Sequence, residues 1–301
     1  MDPSSADRVV FPNDHITKGD VFRYYEMVGP RLLPFIANRA LTVERFPKGI
    51  ADKGFMQKNA PGHAPAGVIE RLEVPRDEGG VTTYPIVHDV DGVLFFANLG
   101  VITFHAPPSL AVDMLHPDWV IWDLDPPVGS GDKARAAALA LREVLQSFGV
   151  PTSVMTSGSK GFHLRTHVTR TMPADRMSAF ARGVSALAAA AHPELMTLAF
   201  KKVERGNRVF LDWLRNMPLS TSVAPWSLRP KDRAPVAAPI TWDEVEDIEP
   251  DGITIDDVPN RLEYDAWAKI TPMDPTDSAE KVKRALKEGG ITLGQFDRFR
   301  S

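Results

Sequence analysis

The chain has 301 residues, 43% hydrophobic and 25% charged, ordinary values for a globular protein with material for a large core. It has no cysteine, which excludes disulfides, zinc–thiolate sites and thiol nucleophiles. The formal net charge of −4 hides a division: residues 241–301 carry 15 acidic and 8 basic side chains, whereas residues 160–240 carry 13 basic and 5 acidic ones. A basic middle is compatible with phosphate ligands whatever the overall sign. The N-terminus lacks the apolar stretch of a signal peptide and no segment approaches a membrane span, so a cytoplasmic location and no membrane partner are expected.

Residues 7–12 read as a short apolar strand or turn, and Thr17 as the N-cap of a helix running through Val21, Phe22, Tyr24 and Tyr25 to about Leu33. Arg39 to Phe46 reads as a strand ending at Pro47-Lys48-Gly49, and Gly54 to Asn59 as another. Residues 81–105 hold apolar runs split by Asp91-Gly92, which predicts a hairpin with Val93 to Asn98 as its second strand. A further run, Val101 to His105, stops at Pro107-Pro108.

Trp119 to Pro127, Trp-Val-Ile-Trp-Asp-Leu-Asp-Pro-Pro, reads as a buried strand cut off by a double proline. Alternate side chains of a strand share a face, so Asp123 and Asp125 point one way while Trp122 and Leu124 point into the core. Two neighbouring carboxylates repel unless a cation lies between them, and a hard divalent ion is the usual one. The alternative is a strand end with one exposed and one capping aspartate.

Residues 131–148 have helical spacing at Leu141, Val144, Leu145 and Phe148, closed by Gly149 and Pro151. A strand from Thr152 to Thr156 leads into the turn Ser157-Gly158-Ser159-Lys160-Gly161. Phe162 to Val168 then alternates, with His163, Arg165 and His167 on one face as a cationic wall beyond the turn. A helix is predicted over about 173–191, and Val209 to Trp213 is an apolar strand around a lone Asp212. A proline-rich passage and an acidic covering segment with an amphipathic helix near 278–287 complete the chain, which divides into an N-terminal part (1–105), a core (106–240) and that segment (241–301) of a single domain.

Asp123, Asp125 and Asp212 at strand ends suit a two-metal site for phosphoryl or nucleotidyl transfer. The Ser157–Gly161 turn offers backbone N–H groups, hydroxyls and a point charge to a polyphosphate, although it lacks Walker spacing and taken alone is more commonly a surface turn. Arg205, Arg208 and Arg229 flank the third aspartate; for Arg208 a solvated rim is the plainer reading. His105, at the end of its strand, either faces this site or is a hydrogen-bonded core histidine.

Together, Trp-Asp-Leu-Asp-Pro, Thr-Ser-Gly-Ser-Lys-Gly-Phe-His-Leu, Val-Phe-Leu-Asp-Trp and Ala-Pro-Trp-Ser-Leu-Arg resemble the archaeo-eukaryotic primase-polymerases, and most closely the polymerase domain of bacterial DNA ligase D and its stand-alone relatives. The resemblance runs from Ala6 to about residue 245. It implies an α+β fold with a primase-like core, in which mixed and antiparallel sheets form a cleft flanked by helices. It also implies a template-dependent polymerase of non-homologous end joining that prefers ribonucleotides and uses two Mn2+ (or Mg2+) ions. Asp123, Asp125 and Asp212 would be the metal ligands. Ser157, Ser159, Lys160, His163, Arg205 and Arg229 would hold the NTP or dNTP, with His105 near its triphosphate. Phe55 and Lys58 would meet the template, and Arg8 and Lys18 the 5′-phosphate of a gapped or broken DNA end. An ATP-dependent ligase and a Ku-type end-binding protein are the implied partners, and the nucleoid the implied place. Two other readings of the residues are a metal-dependent phosphohydrolase and a non-catalytic DNA-end-binding module. The chain departs from the family in having Leu214-Arg215-Asn216 where Ser-Gln-Asn is common, Pro218 to Ser222 where Gly-Ser-Lys-Thr-Thr is common, and Phe55-Met56 where two aromatics can stand.

Overall fold

In the computed structural model of the chain, which describes residues 2–293, Thr17 caps the first long helix as its position predicts. Its side chain accepts the Asp20 N–H while Asp20 Oδ2 accepts the Thr17 N–H at 2.8 Å, a reciprocal capping box. Strands β1 (Val9–Phe11) and β2 (Ile16–Thr17) form a small ribbon that feeds α1 (Lys18–Ile36). Then come β3 (Thr42–Arg45), β4 (Phe55–Gln57) and a hairpin of β5 (Glu70–Pro75) and β6 (Val81–Ile86).

The expected hairpin at Asp91-Gly92 is not there. Both residues lie in the first turn of α2 (Val90–Asn98), capped by Asp89, whose side chain accepts the Gly92 N–H at 3.0 Å. The run Val93 to Ala97 is buried on all sides, so it has no polar face from which a helix could be told from a strand. The real hairpin lies one strand earlier and turns at Gly79 and Gly80, whose positive φ values suit glycine.

The remaining elements are β7 (Val101–Ala106), β8 (Trp119–Asp125), α3 (Gly131–Ser147), β9 (Ser153–Thr156), β10 (Phe162–His167), α4 (Ala174–Ala191), β11 (Met196–Thr197), a short α5 (Lys202–Arg205), β12 (Val209–Asp212), β13 (Ser222–Val223), β14 (Pro239–Ile240), α6 (Val258–Arg261) and α7 (Thr276–Glu288). The longer of these follow the predicted order, and the short β11, α5, β13, β14 and α6 join them without having been expected. The end of the acidic segment, residues 294–301, lies outside the described residues.

Two larger sheets carry the architecture. One has six strands in the order β11-β12-β8-β10-β9-β14, antiparallel except between β11 and β12; the other, β13-β7-β3-β4, is wholly antiparallel. The α+β class is as expected. Helices α3 and α4 cover one face of the six-stranded sheet, where Trp122 and Leu124 are buried and the Trp122 indole donates to the Ala181 carbonyl at 3.2 Å. Asp123 and Asp125 consequently face away from these helices, toward the second sheet.

Two local devices hold the end of β8 in place. Strand β12 pairs with β8 only from Asp125 to Asp123 and then turns away. Beyond that point the Asn216 side chain continues the ladder: its Oδ1 accepts the Ile121 N–H at 2.8 Å, and its Nδ2 donates to the Ile121 carbonyl at 2.7 Å and the Trp213 carbonyl at 2.9 Å. On the other side, the 157–161 turn lies so close to β8 that a Cβ on Gly161 would stand 1.9 Å from the Leu124 carbonyl oxygen. Gly161→Ala should therefore destabilise the protein by roughly 1–3 kcal/mol or more. Asn216→Ala, which strands both polar groups of a buried peptide, should cost about 2 kcal/mol. Urea denaturation measures both, and a neutral Asn216→Ala would show that the amide does not hold β8.

Candidate active site

The register of β8 brings the carboxylates together. Asp123 lies opposite His163 of β10 on one side and Asp212 of β12 on the other. Each carboxylate meets a cation. Asp125 pairs with Lys160 and, at 2.7 Å, with Arg205. Asp123 pairs with His163 Nε2 at 3.2 Å and Arg215 Nε at 3.2 Å. Arg215 Nη2 also reaches Asp212 at 2.9 Å, so one guanidinium bridges two of the three acids.

This charge pattern splits the carboxylates. Burial pushes Asp123 up, but the charges and hydrogen bonds of His163 and Arg215 override it and hold the carboxyl well below the usual range. Asp212 moves the other way: burial raises it, Arg215 opposes, and the neighbouring Asp123 and Asp125 add to the rise. Arg215 itself is raised, because its two acids outweigh the cost of its burial.

Two of the connections that carry the chain between the sheets each deliver an arginine. The link from β12 to β13 makes a 3-10 turn at Leu214–Asn216 and presents Arg215; the return from β13 to β14 presents Arg229. These side chains, with His105 of β7, Asp123, Asp125, Ser157, Ser159, Lys160 and His163, line one pocket of about 190 Å³. The Ser157 hydroxyl organises the turn by accepting the N–H groups of Ser159 at 3.1 Å and Gly161 at 3.2 Å. Gly158, at φ +63°, lies against Arg229, where a Cβ would meet Cγ at 2.6 Å. Burial lowers Arg229 below its ordinary value, with Glu44 and Asp123 opposing.

His105 faces the pocket with Nε2 buried and unpartnered, as is Nδ1 of His163. Burial, then the charges of Arg229, Arg215 and His163, lowers His105 to about 3, so its imidazole is neutral at pH 7. It can offer a hydrogen bond to a phosphate but no charge. Arg205 is held by the Ala199 and Phe200 carbonyls and lies over the Phe210 ring at 4.0 Å, which aims it at Asp125. Arg208 instead donates to the Arg205 and Glu204 carbonyls of α5.

The predicted cationic wall stops at His163. Arg165 is on the same face but is buried between the sheets, its guanidinium 5.0 Å from the Trp119 ring centre and 5.9 Å from that of Phe35. It lies too deep in the aromatic packing to meet a phosphate in this pocket.

The four residues expected to meet DNA lie away from the pocket. Phe55 and Met56, 47% and 50% exposed, stand on β4 at the edge of the four-stranded sheet with Lys58 just beyond; Arg45 lies over the Phe55 ring at 5.4 Å. Arg8 and Lys18 adjoin, the Lys18 N–H donating to the Arg8 carbonyl at 2.8 Å. The Lys18 ammonium points inward, donating to the Ser4 carbonyl (2.7 Å), the Ser4 hydroxyl (2.9 Å) and Asn98 Oδ1 (2.7 Å). Burial and then the Arg8 charge lower its pKa.

Among the described residues, no group of three or more His, Cys, Asp or Glu side chains is gathered closely enough to hold a metal. The acids here are turned onto cations instead. Their chemistry fits a hard divalent ion all the same: all three offer carboxylate oxygen from adjoining strand ends, and the like-charge crowding that raises Asp212 is what such an ion relieves. The sequence pattern marks Arg215 only as a departure and gives Asn216 no role. Arg215 follows Asp212 by three residues, a separation that brings side chains together only once a helical turn forms there.

The neutral His105 has a consequence for stability. Between pH 6.5 and 3 the unfolded chain binds a proton at this residue that the folded chain does not, so stability should fall as pH drops through that window, by up to ~1.4 kcal/mol per unit from this group. His105→Gln should flatten the slope in denaturation curves taken at stepped pH; an unaltered slope would contradict a neutral, buried His105.

Comparison with known proteins identifies the family. Residues 17–267 match the family model described as LigD, primase-polymerase domain. The multifunctional non-homologous end joining protein LigD of Mycolicibacterium smegmatis is 34% identical over 294 residues, which is 96% of this chain and 38% of that protein. The bifunctional non-homologous end joining protein LigD of Bacillus subtilis is 31% identical over 264 residues, 86% of this chain and 42% of that protein. The chain thus spans about two-fifths of the length of these relatives. The solved polymerase domain from Mycobacterium tuberculosis ligase D, in complex with DNA, superposes with a TM-score of 0.80 at 31% identity, over 88% of this chain and 95% of that one. Carboxylates on strand ends, a Ser-Gly-Ser-Lys-Gly turn beside them and this agreement over most of the length place the chain in the LigD primase-polymerase domain family, nucleotidyltransferase-type polymerases.

Proposed function

We propose that this chain adds nucleotides, ribonucleotides by preference, to a primer 3′-OH at gaps and broken DNA ends, with two divalent ions, Mn2+ or Mg2+, held by Asp123, Asp125 and Asp212. What supports this reading most is a single pocket in which Asp123 and Asp125, with Asp212 paired beside Asp123, adjoin Lys160, Arg229 and the 157–161 turn. Acids that take metal and bases that take phosphate are useful side by side when the substrate is a metal-bound polyphosphate. Bound ions would lower the pKa of the attacking hydroxyl and neutralise the departing pyrophosphate.

The chain's own residues bind and orient. The turn presents Ser159 and Lys160 to the triphosphate, and Arg229 and His163 approach from the sides. Neutral His105 contributes a hydrogen bond from the opposite sheet. Arg205, anchored by two carbonyls, holds Asp125 in place. Phe55, with Met56 beside it, offers an apolar face to a template base, and Lys58 a charge to its backbone. Arg8 and Lys18 are the paired cations for a 5′-phosphate. That phosphate would replace Ser4 and Asn98 as partners of the Lys18 ammonium and relieve its repulsion by Arg8. An ATP-dependent ligase and a Ku-type end-binding protein would complete repair around this unit in the nucleoid, with residues 1–301 acting as one domain.

The test is primer extension with Mn2+ on a gapped duplex, with rNTPs or dNTPs, with and without a 5′-phosphate at the gap. Asp125→Ala should reduce extension by on the order of 10²–10³-fold. Lys18→Ala should retain extension but lose most of the advantage given by the 5′-phosphate. Nucleotide hydrolysis without primer growth would favour a phosphohydrolase. Tight, 5′-phosphate-dependent binding without extension would favour an end-binding module.

A further inference from the structure

Arg215 has a place that the polymerase reading leaves unexplained. A guanidinium that touches two of three presumptive metal ligands stands where a divalent ion would have to enter. Its Nε reaches Asp123, its Nη2 reaches Asp212, and its Nη1 donates to the Thr221 carbonyl at 3.3 Å. The main chain beneath it is fixed, because Asn216 is locked to β8 and the Leu214 N–H donates to Asp212 Oδ1 at 3.0 Å. The side chain is less confined: it is 39% exposed and borders the pocket that also holds Lys160 and Arg229.

We propose that Arg215 is a tethered cation that competes with the divalent ion for Asp123 and Asp212, so that metal loading requires its guanidinium to swing off the two carboxylates into the phosphate side of the pocket. The proposal rests on the metal role of these aspartates. The electrostatics favour exchange over co-occupancy. A divalent ion bridging Asp123 and Asp212 leaves little negative charge for the guanidinium, and a cation held within a few ångströms of the ion repels it. The tether makes the exchange reversible, since the fixed turn keeps the side chain within reach of the carboxylates. A triphosphate in the pocket would supply the displaced guanidinium with a new partner, so nucleotide and metal would each favour the binding of the other. Arg215 thereby sets how much metal the enzyme needs before it is competent.

The experiment is Mn2+ binding to the nucleotide-free protein, by titration calorimetry and by loss of the free-ion electron paramagnetic resonance signal. It uses the wild type, Arg215→Gln, Arg215→Lys and Asp212→Asn. Removing the competitor should tighten Mn2+ binding in Arg215→Gln about tenfold, the equivalent of one partly exposed charge-assisted pair. Arg215→Lys, which keeps the charge but loses the two-armed fork, should fall between glutamine and the wild type. Thermal melts give an independent reading: in EDTA Arg215→Gln should melt below the wild type, because Asp123 and Asp212 then repel, and saturating Mn2+ should close or reverse that gap. A merely structural arginine would lower the melting point equally with and without the ion. Mn2+ binding that is equal or weaker in Arg215→Gln, with Asp212→Asn still impairing it, would overturn the exchange while leaving the metal site standing. Failure of every variant and the wild type to bind Mn2+ would overturn both.

Discussion

The antiparallel pairing of β8 with β10 and β12 is the constraint on which the site depends. It lines up Asp123 with His163 on one side and Asp212 on the other, and the two-residue repeat of the strand adds Asp125 to the same face. A slip of one residue would send these acids under α3 and α4 and bring Trp122 and Leu124 into the cleft. The burial of Trp122, with its indole bonded to α4, opposes that slip. Hydrophobic packing on one face of the strand thereby fixes the chemistry on the other.

Gathering three acids in a half-buried cleft is costly, and the surrounding structure offsets the cost with cations from separate parts of the chain. Lys160 comes from a turn, Arg205 from a short helix, His163 from the neighbouring strand and Arg215 from the connection between sheets. Asp123 is kept ionised by two of them, whereas Asp212, which shares the Arg215 guanidinium with Asp123, stays the acid most in need of positive charge.

The connections between the sheets are more than linkers. The return that delivers Arg229 is held by the two tyrosines of α1: the Tyr24 hydroxyl donates to the Trp226 carbonyl at 2.9 Å, and the Tyr25 hydroxyl accepts the Leu228 N–H at 3.1 Å while donating to the Ile102 carbonyl. Trp226 holds φ +70° in this loop, an uncommon conformation for a large side chain, and it is maintained by buried hydrogen bonds on both sides. An N-terminal helix thus positions Arg229, some 200 residues later in sequence, a link that only the folded chain reveals.

Alternation along β8 and β10, the capping of α1 by Thr17, the helical stripes of α3 and α4 and the shared face of Asp123 and Asp125 were all determined by the sequence by itself, because each is a local pattern whose period or spacing states its geometry. Where local pattern was silent, tertiary structure decided. The uniformly apolar run after Asp91, with no polar face to mark its period, is a helix in the fold, and Arg165 was drawn away from the pocket by Trp119 and Phe35. The inward turn of Lys18 depends on Ser4 and Asn98, and the bridge of Arg215 depends on a strand that ends where Asn216 takes over its ladder. These are contacts between residues distant in the chain, or local ones formed only after distant ones have set the backbone, and no window of neighbouring residues contains the free energy that selects them.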